Sequence, residues 1–112
     1  MKVVSEIDGK KIPFEANGNT PRKYQKQFGK NYFEVASDIT GAFDAESGQV
    51  LAGKVEMDDV YNLLYTYAHT ADGHIDDIDT WLPSFDWFPI IDLLTETMDL
   101  TLGNLVYIEK KK

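Results

Sequence analysis

The sequence predicts an α+β domain in which an N-terminal β-hairpin packs on a mainly helical domain of about four helices. Residues 2–16 flank an Asp8-Gly9 pair that is typical of a tight hairpin turn. Four later stretches repeat their apolar residues at helical spacing. At 112 residues and 43% hydrophobic content, the chain is large enough for one core but not for two. We therefore treat residues 1–112 as a single domain.

The hairpin is predicted from its turn. Glycine tolerates a positive φ without a Cβ clash, so Asp8 and Gly9 suit a two-residue loop. This loop sets the register, which pairs Val3 with Phe14 and Ser5 with Ile12. Pro13 has no N–H to donate and is predicted on an edge strand. A lone hairpin is marginally stable in water, so its apolar side must rest on helices.

The first helix is predicted from Thr20-Pro21, an N-cap hydroxyl followed by proline at the first helical position. Tyr24 and Phe28 lie four residues apart on one face, and Gly29 ends the helix.

A second helix is predicted to open near Tyr32, because Asn31 followed by Glu34 resembles a capping box. Its inner stripe would consist of Tyr32, Val35, Ala36, Ile39 and Phe43. Residues 44–56 show little periodicity and contain two glycines, so we predict a mobile loop there.

The third helix is predicted from Met57 to Ala71. Apart from a polar stripe it is almost entirely apolar, so it should be the most enclosed helix of the domain. The stripe comprises Asp58, Asn62, Thr66 and either His69 or Thr70. Asp76 or Asp77 is expected to cap a short helical turn that runs through Trp81.

The last helix is predicted over residues 87–103 with Asp86 as its cap, and residues 104–112 form a C-terminal tail. It carries two apolar rows. One is Trp87, Ile91, Leu94, Met98, Leu102 and Leu105; the other is Ile90, Leu93 and Leu100. One row is enough for the core of so small a domain, so the other is expected to meet a partner. The predicted partner-binding residues are Trp87, Phe88, Ile90, Leu93 and Leu100. The alternative is an internal helix that the others enclose on both rows.

Charge is distributed unevenly along the chain. Residues 55–109 contain twelve carboxylates and no lysine or arginine, whereas residues 1–54 hold eight basic and seven acidic groups. Such a negative half, rich in aromatic residues, suits the docking of another protein and repels nucleic acid and anionic membranes. One basic cluster could contact an anionic partner, but we expect it to pair with the acidic half of the protein, within a subunit or between neighbours. It comprises Arg22, Lys23, Lys26 and Lys30.

The chemistry of an enzyme is not indicated. There is no cysteine, no serine in a Gly-x-Ser-x-Gly setting and no glycine loop that could cradle a phosphate. The acids of residues 72–79 lack the central glycine and closing glutamate of an EF-hand. We therefore expect neither a catalytic residue, nor a metal ligand, nor a cofactor. No apolar run approaches the ~20 residues of a membrane span, which makes the cytoplasm the expected location.

Three stretches carry a resemblance to a known family. Residues 7–14 (IDGKKIPF), 20–24 (TPRKY) and 28–30 (FGK) resemble the tail assembly chaperones of bacteriophages and prophages of Gram-positive bacteria. The likeness extends through the HTAD stretch at 69–72 to the last helix. The residues that match the family motif, with an expected structural role, are Thr20, Pro21, Arg22, Tyr24, Phe28 and Gly29.

The resemblance implies a non-enzymatic assembly factor. Such chaperones bind the long, aggregation-prone tape measure protein, keep it soluble and help to recruit tail tube subunits in the host cytoplasm. They are absent from the mature virion. Many also have a longer form made by ribosomal frameshifting, with which the ending Lys110-Lys111-Lys112 is compatible. Self-association is expected, because many copies must coat one filament.

Two other classes of protein remain open at this point. An acidic mimic of nucleic acid could block a DNA-binding protein, although its carboxylates should then cover an outer face. A virion structural protein at the head–tail junction is the second alternative, and it would be found in purified particles.

Overall fold

The computed structural model describes residues 1–105 and confirms the α+β class, with an N-terminal hairpin followed by six helices. The strands are β1 (Lys2–Ile7), β2 (Lys10–Glu15), β3 (Phe43–Asp44) and β4 (Gln49–Val50). The helices are α1 (Thr20–Phe28), α2 (Tyr32–Gly41), α3 (Met57–Ala71), α4 (Ile78–Trp81), α5 (Ile90–Glu96) and α6 (Met98–Gly103). Short 3-10 turns span Ala52–Lys54 and Leu82–Ser84. The expected tail lies mostly outside the described residues.

The first hairpin has the predicted turn and register. Asp8 and Gly9 both have positive φ, 54° and 77°, as a two-residue primed turn requires. The register pairs Val3 with Phe14 and Ser5 with Ile12. Ile7 and Phe14 are fully buried, and β2 packs against α3. The apolar side of the hairpin therefore rests on a helix, as its marginal stability in isolation demands.

Helix α1 begins and ends close to the predicted positions. Asn19 rather than Thr20 is the N-cap, and Thr20 is the first helical residue. The Thr20 hydroxyl still closes the turn, because Oγ1 accepts a hydrogen bond from the Asn17 amide at 2.9 Å. Gly29 adopts the left-handed conformation, with φ 73°, and its N–H donates to the Gln25 carbonyl. The glycine stop is thus confirmed.

Replacing Gly29 by valine should destabilise the domain by about 1–3 kcal/mol, because a β-branched residue at positive φ is strained. A Cβ at this position would meet nothing within 4 Å, so strain in the backbone is the whole effect. Chemical denaturation measures the loss. Gly18→Val is the matched control, since Gly18 has open space and no positive φ. Equal stability of the two variants would contradict the assignment.

Helices α2 and α3 also follow the sequence pattern. The Asn31 side chain caps α2 by accepting from the Phe33 amide at 2.9 Å. The predicted inner residues of α2 from Tyr32 to Ile39 are buried. Helix α3 is the central element, with contacts to β2, α1 and α5. Thr66, expected on the polar stripe, is instead fully buried, and its hydroxyl donates to the Asn62 carbonyl.

Segment 44–56 does not lack regular structure. Strands β3 and β4 pair as a short hairpin, with Gly48 at φ 72° in the turn. The Leu51 amide donates to the Ala42 carbonyl at 2.8 Å, and Val50 is buried. Phe43, expected on the inner stripe of α2, begins β3 and is 41% exposed. The sequence pattern missed the hairpin because each strand has only two residues.

The single last helix predicted over 87–103 is wrong. The helical segment starts at Ile90, and Asp86 does not cap it: the Asp86 amide donates to the Asp8 carboxylate at 3.1 Å. Thr97 divides the segment into α5 and α6. Its hydroxyl donates to the Leu93 carbonyl at 2.7 Å, a side-chain bond of the kind that bends helices.

The assignment of the two apolar rows is also wrong. Leu93 and Leu100, predicted to be exposed, are 0% and 1% exposed. Helices α5 and α6 pack against several elements at once, namely β1, β4, α2 and α3. The buried face therefore consists of Leu93, Leu94, Thr97, Leu100 and Thr101. The residues left half-exposed come from both rows: Ile90 from the row predicted to meet a partner, and Ile91, Met98 and Leu102 from the row predicted to form the core.

A chain of hydroxyl groups crosses the core and joins three helices. The Tyr32 and Tyr67 hydroxyls lie 2.9 Å apart, and the Tyr67 hydroxyl lies 3.0 Å from Thr101 Oγ1. All three residues are at most 1% exposed. Burial raises the pKa of Tyr67 well above its ordinary value, and it raises the pKa of Tyr32 against the opposing effect of hydrogen bonds to Tyr67 and Asn104. Helices α2, α3 and α6 are thereby fixed to one another.

Candidate functional site

The five residues predicted to bind a partner do not form one surface. Trp87 is 79% exposed, Ile90 is half-buried, and Leu93 and Leu100 lie inside the core. Phe88 is half-buried in an aromatic cluster, with ring centroids 5.6 Å from Trp81 and 5.7 Å from Phe85. Leu93 and Leu100 cannot touch a partner in this structure. Only Trp87 of the five offers most of its surface to one.

A groove with mainly apolar surface lies elsewhere, between α2, the second hairpin and helices α5 and α6. It has a volume of about 380 Å³, and we call it the apolar groove. Its lining comprises Thr40 of α2, Phe43 and Gly48 of the second hairpin, Thr95 of α5, and Met98, Asp99 and Leu102 of α6. Phe43 is an exposed aromatic residue, while Met98 packs against the core and is half-buried. The groove therefore combines the half-buried side chain of Met98 with the exposed ring of Phe43.

The local sequence explains how the groove is built. The Ala42 amide donates to the Asp38 and Ile39 carbonyls, which ends α2 and turns the chain so that Phe43 leaves the helix. Met98 and Leu102 lie four residues apart, so they occupy one face of α6. The α2–α6 contact brings the two elements together. The groove therefore joins residues that are more than fifty positions apart in the sequence.

A row of carboxylates runs beside the groove. Asp92, Glu96 and Asp99 are exposed and follow the helical spacing of α5 and α6. Residues 55–105 contain no lysine or arginine. The field next to the groove is consequently negative, which favours a ligand with apolar side chains and flanking cations.

A second depression, which we call the cationic cleft, has a volume of about 610 Å³. Its lining comprises Gly18, Pro21, Arg22, Gln25, Lys26, Tyr32, Phe33 and Asn104. It shares no residue with the apolar groove. Two members of the family motif, Pro21 and Arg22, thus line a cleft. The other four have structural roles. Thr20 and Tyr24 are buried, and Gly29 ends α1. The ring of Phe28 packs on that of Tyr24, with a distance of 5.3 Å between the ring centroids.

The predicted pairing of the basic cluster holds for one residue. Lys30 Nζ lies 2.8 Å from Asp59 Oδ1. Lys23 Nζ donates to the Thr70 hydroxyl at 3.2 Å. Within residues 1–105, Arg22 and Lys26 form no ion pair. Pairing within a subunit is therefore confirmed for Lys30 and is not found among residues 1–105 for Arg22, Lys23 and Lys26, while pairing between neighbouring subunits stays a prediction.

The described residues offer neither a metal site nor a membrane span. Among residues 1–105, no group of three or more histidine, cysteine, aspartate or glutamate side chains could hold a metal ion. No helix in the described part of the chain has the length and apolar character needed to cross a membrane. Comparison with family models, curated proteins and solved structures finds no match to this chain.

Proposed function

We propose that this protein is a non-enzymatic tail assembly chaperone whose apolar groove binds an amphipathic helix of a phage tape measure protein. The observation that carries the proposal is the groove of Phe43, Met98 and Leu102 beside an exposed row of carboxylates. The sequence resemblance in residues 7–30 supports the same role. In this role the chaperone keeps the tape measure protein soluble in the host cytoplasm, helps to recruit tail tube subunits and leaves before the virion is complete.

The occupant is argued from shape and charge. A groove of about 380 Å³ takes a few side chains of a helix rather than a whole helix, which suits anchors spaced three and four residues apart. The exposed carboxylates of Asp92, Glu96 and Asp99 can form ion pairs with lysine or arginine residues that flank such anchors. A long amphipathic helix of a tape measure protein carries this pattern repeatedly. Many copies of the chaperone can then coat it, because weak contacts are multiplied by avidity.

Phe43→Asp should weaken binding to the tape measure protein encoded in the same gene cluster by about 30-fold or more, as expected for an aromatic anchor worth about 2 kcal/mol. Co-expression followed by affinity purification and calorimetry with a tape measure fragment measures the loss. The matched control is Phe33→Asp, since Phe33 is 48% and Phe43 41% exposed. Phe33 lies in the cationic cleft, so this variant should bind normally. Normal binding by Phe43→Asp would contradict the assignment of the groove.

The salt dependence of partner binding separates this function from mimicry of nucleic acid. Apolar docking should weaken only modestly between low and high salt, whereas a decoy that binds through its carboxylates should lose affinity steeply. The absence of the protein from purified particles would separate it from a head–tail structural protein.

A further inference from the structure

We propose that the cationic cleft binds a small organic anion that carries a flat ring. The anion would contact Arg22 and Lys26, and the ring would stack on Phe33. This inference goes beyond the proposed function, because it concerns a site that shares no residue with the apolar groove.

The unusual feature of the cleft is its charge. The whole chain carries a net charge of −8, yet none of the residues between 1 and 105 that line the cleft is acidic. Arg22 and Lys26 lie four residues apart on α1, so their side chains share one face. Both are exposed, and neither forms an ion pair within residues 1–105. Two free cations on one wall form a local attractive site for an anion, which the rest of the protein would repel.

The same two cations also line a smaller depression of about 340 Å³ that adjoins the cationic cleft. In the described part of the chain, the residues that line that depression are Asn19, Arg22, Lys23, Lys26 and Gln27, none of which is aromatic. A ligand with both a charge and a ring therefore fits the cationic cleft better than this neighbour. Arginine can in addition hold a carboxylate or a phosphate through two parallel hydrogen bonds.

An aromatic wall stands in the cleft together with these cations. Phe33 is 48% exposed and is braced against Tyr32, with a centroid distance of 5.8 Å and an interplanar angle of 89°. An exposed ring that packs on a buried one is a suitable platform for stacking, since aromatic rings attract one another in offset arrangements. The cleft's volume of about 610 Å³ falls in the usual range for small-molecule sites, about 300–1,000 Å³.

Amide groups provide the remaining polar contacts. Gln25 lies on the same helix as the two cations. Asn104 also lines the cleft, and its side-chain Nδ2 donates to the Asn17 carbonyl at 3.1 Å. Arg22, Gln25 and Lys26 lie on one regular helix, so their backbone positions are fixed relative to one another.

The test is an NMR titration of the full chain, in which the chemical shifts of the backbone amides are measured as each probe is added. The probes are 2-naphthoate and adenosine 5′-monophosphate, which join a ring to a carboxylate and to a phosphate, with inorganic phosphate and adenosine as probes of each part alone. We expect both ring-bearing anions to shift the amides of Gln25, Lys26 and Phe33, with a dissociation constant of about 1 mM or tighter. Each part alone should bind at least about tenfold more weakly. Binding of only one ring-bearing anion would support the site and identify its acidic group.

Arg22→Gln with Lys26→Gln should weaken binding of both ring-bearing probes at least about tenfold, because charge-assisted hydrogen bonds are lost. The matched control is Lys2→Gln with Lys11→Gln, which removes two exposed cations from the first hairpin. Phe33→Ala should weaken the ring-bearing probes and leave the response to phosphate unchanged. All the replaced side chains are exposed, so the variants should melt like the parent protein.

The inference would be overturned by any of three results. The first is that no probe shifts the amides of the cleft. The second is that inorganic phosphate binds as well as the ring-bearing anions. The third is that the control variant on the hairpin weakens binding as much as the variant in the cleft.

Discussion

The double variant Leu93→Asp, Leu100→Asp is expected to be unfolded at room temperature. Both leucines are essentially inaccessible to solvent, at 0% and 1% exposure. Truncation of a buried leucine to alanine already costs about 2–5 kcal/mol, and a buried carboxylate without a partner adds several more. Two such changes exceed the total stability of a typical domain, about 5–15 kcal/mol. Far-UV circular dichroism should lose its helical signal.

The control for this variant is Leu51→Asp, which makes the same chemical change at a surface position. Leu51 is 39% exposed. The control variant should fold and melt close to the parent protein. A helical, cooperatively melting double variant would show that the row of Leu93 and Leu100 is not core. It would return that row to the list of possible partner contacts.

Alkaline pH should destabilise the protein steeply. Tyr24, Tyr32 and Tyr67 are at most 1% exposed. Burial raises the pKa of all three, and the negative charge of Asp59 adds to the rise for Tyr24. Since the folded-state pKa values lie above the unfolded value of about 10, these groups stabilise the fold fully below that pH. The stability is lost as the pH rises from there toward the folded values.

The size of this effect follows from proton linkage. A buried tyrosine keeps its proton in the folded state above about pH 10, whereas it loses the proton in the unfolded state. Each such tyrosine lowers the free energy of unfolding by about 1.4 kcal/mol per pH unit. The effects of the three groups add while each keeps its proton in the folded state, so the free energy of unfolding should fall steeply above about pH 10. Urea denaturation at a series of pH values between about 8 and 12 measures the slope.

Tyr67→Phe provides the control, because lysines also titrate in this range. It should reduce the alkaline slope by about one third, since one of the three groups is removed. At neutral pH it should cost about 1–3 kcal/mol, because Tyr32 and Thr101 each lose a hydrogen-bond partner. An unchanged slope would show that the buried tyrosines are not responsible for the pH dependence.

The sequence predicted the elements whose signals are local. The Asp8-Gly9 turn determines its own register, and Gly29 and Asn31 set the end of one helix and the start of the next through backbone geometry and a capping bond. Helix α3 is apolar on nearly every side, so its central place needed no knowledge of its neighbours. These predictions rest on residues close together in the chain.

The choice of the buried row in the last helical segment could not be made in this way. Two apolar rows are present, and periodicity alone does not say which of them faces the core. The elements that pack against this segment determine which row is buried. Helices α5 and α6 contact β1, β4, α2 and α3, so the face of Leu93, Leu94 and Leu100 is enclosed. The bend at Thr97 depends on a side-chain bond that the sequence pattern does not reveal.

The apolar groove was missed for a related reason. Met98 and Leu102 were assigned to the core row, and Phe43 was assigned to the inner face of α2. The structure takes Phe43 out of that helix and brings it to α6 across more than fifty residues of sequence. A usable signal was present in the alternation of Met98 and Leu102 with Asp92, Glu96 and Asp99, because an apolar row next to carboxylates suits a boundary with solvent.

Hydrogen exchange of the complex with a tape measure fragment tests the central claim most directly. The account predicts that binding slows exchange in two separate stretches, residues 40–48 and 95–102, which together form the apolar groove. Exchange at the first hairpin and at α1 should stay as it is in the free protein. Slowed exchange confined to the region of Trp87, or no change in either stretch of the groove, would contradict the account.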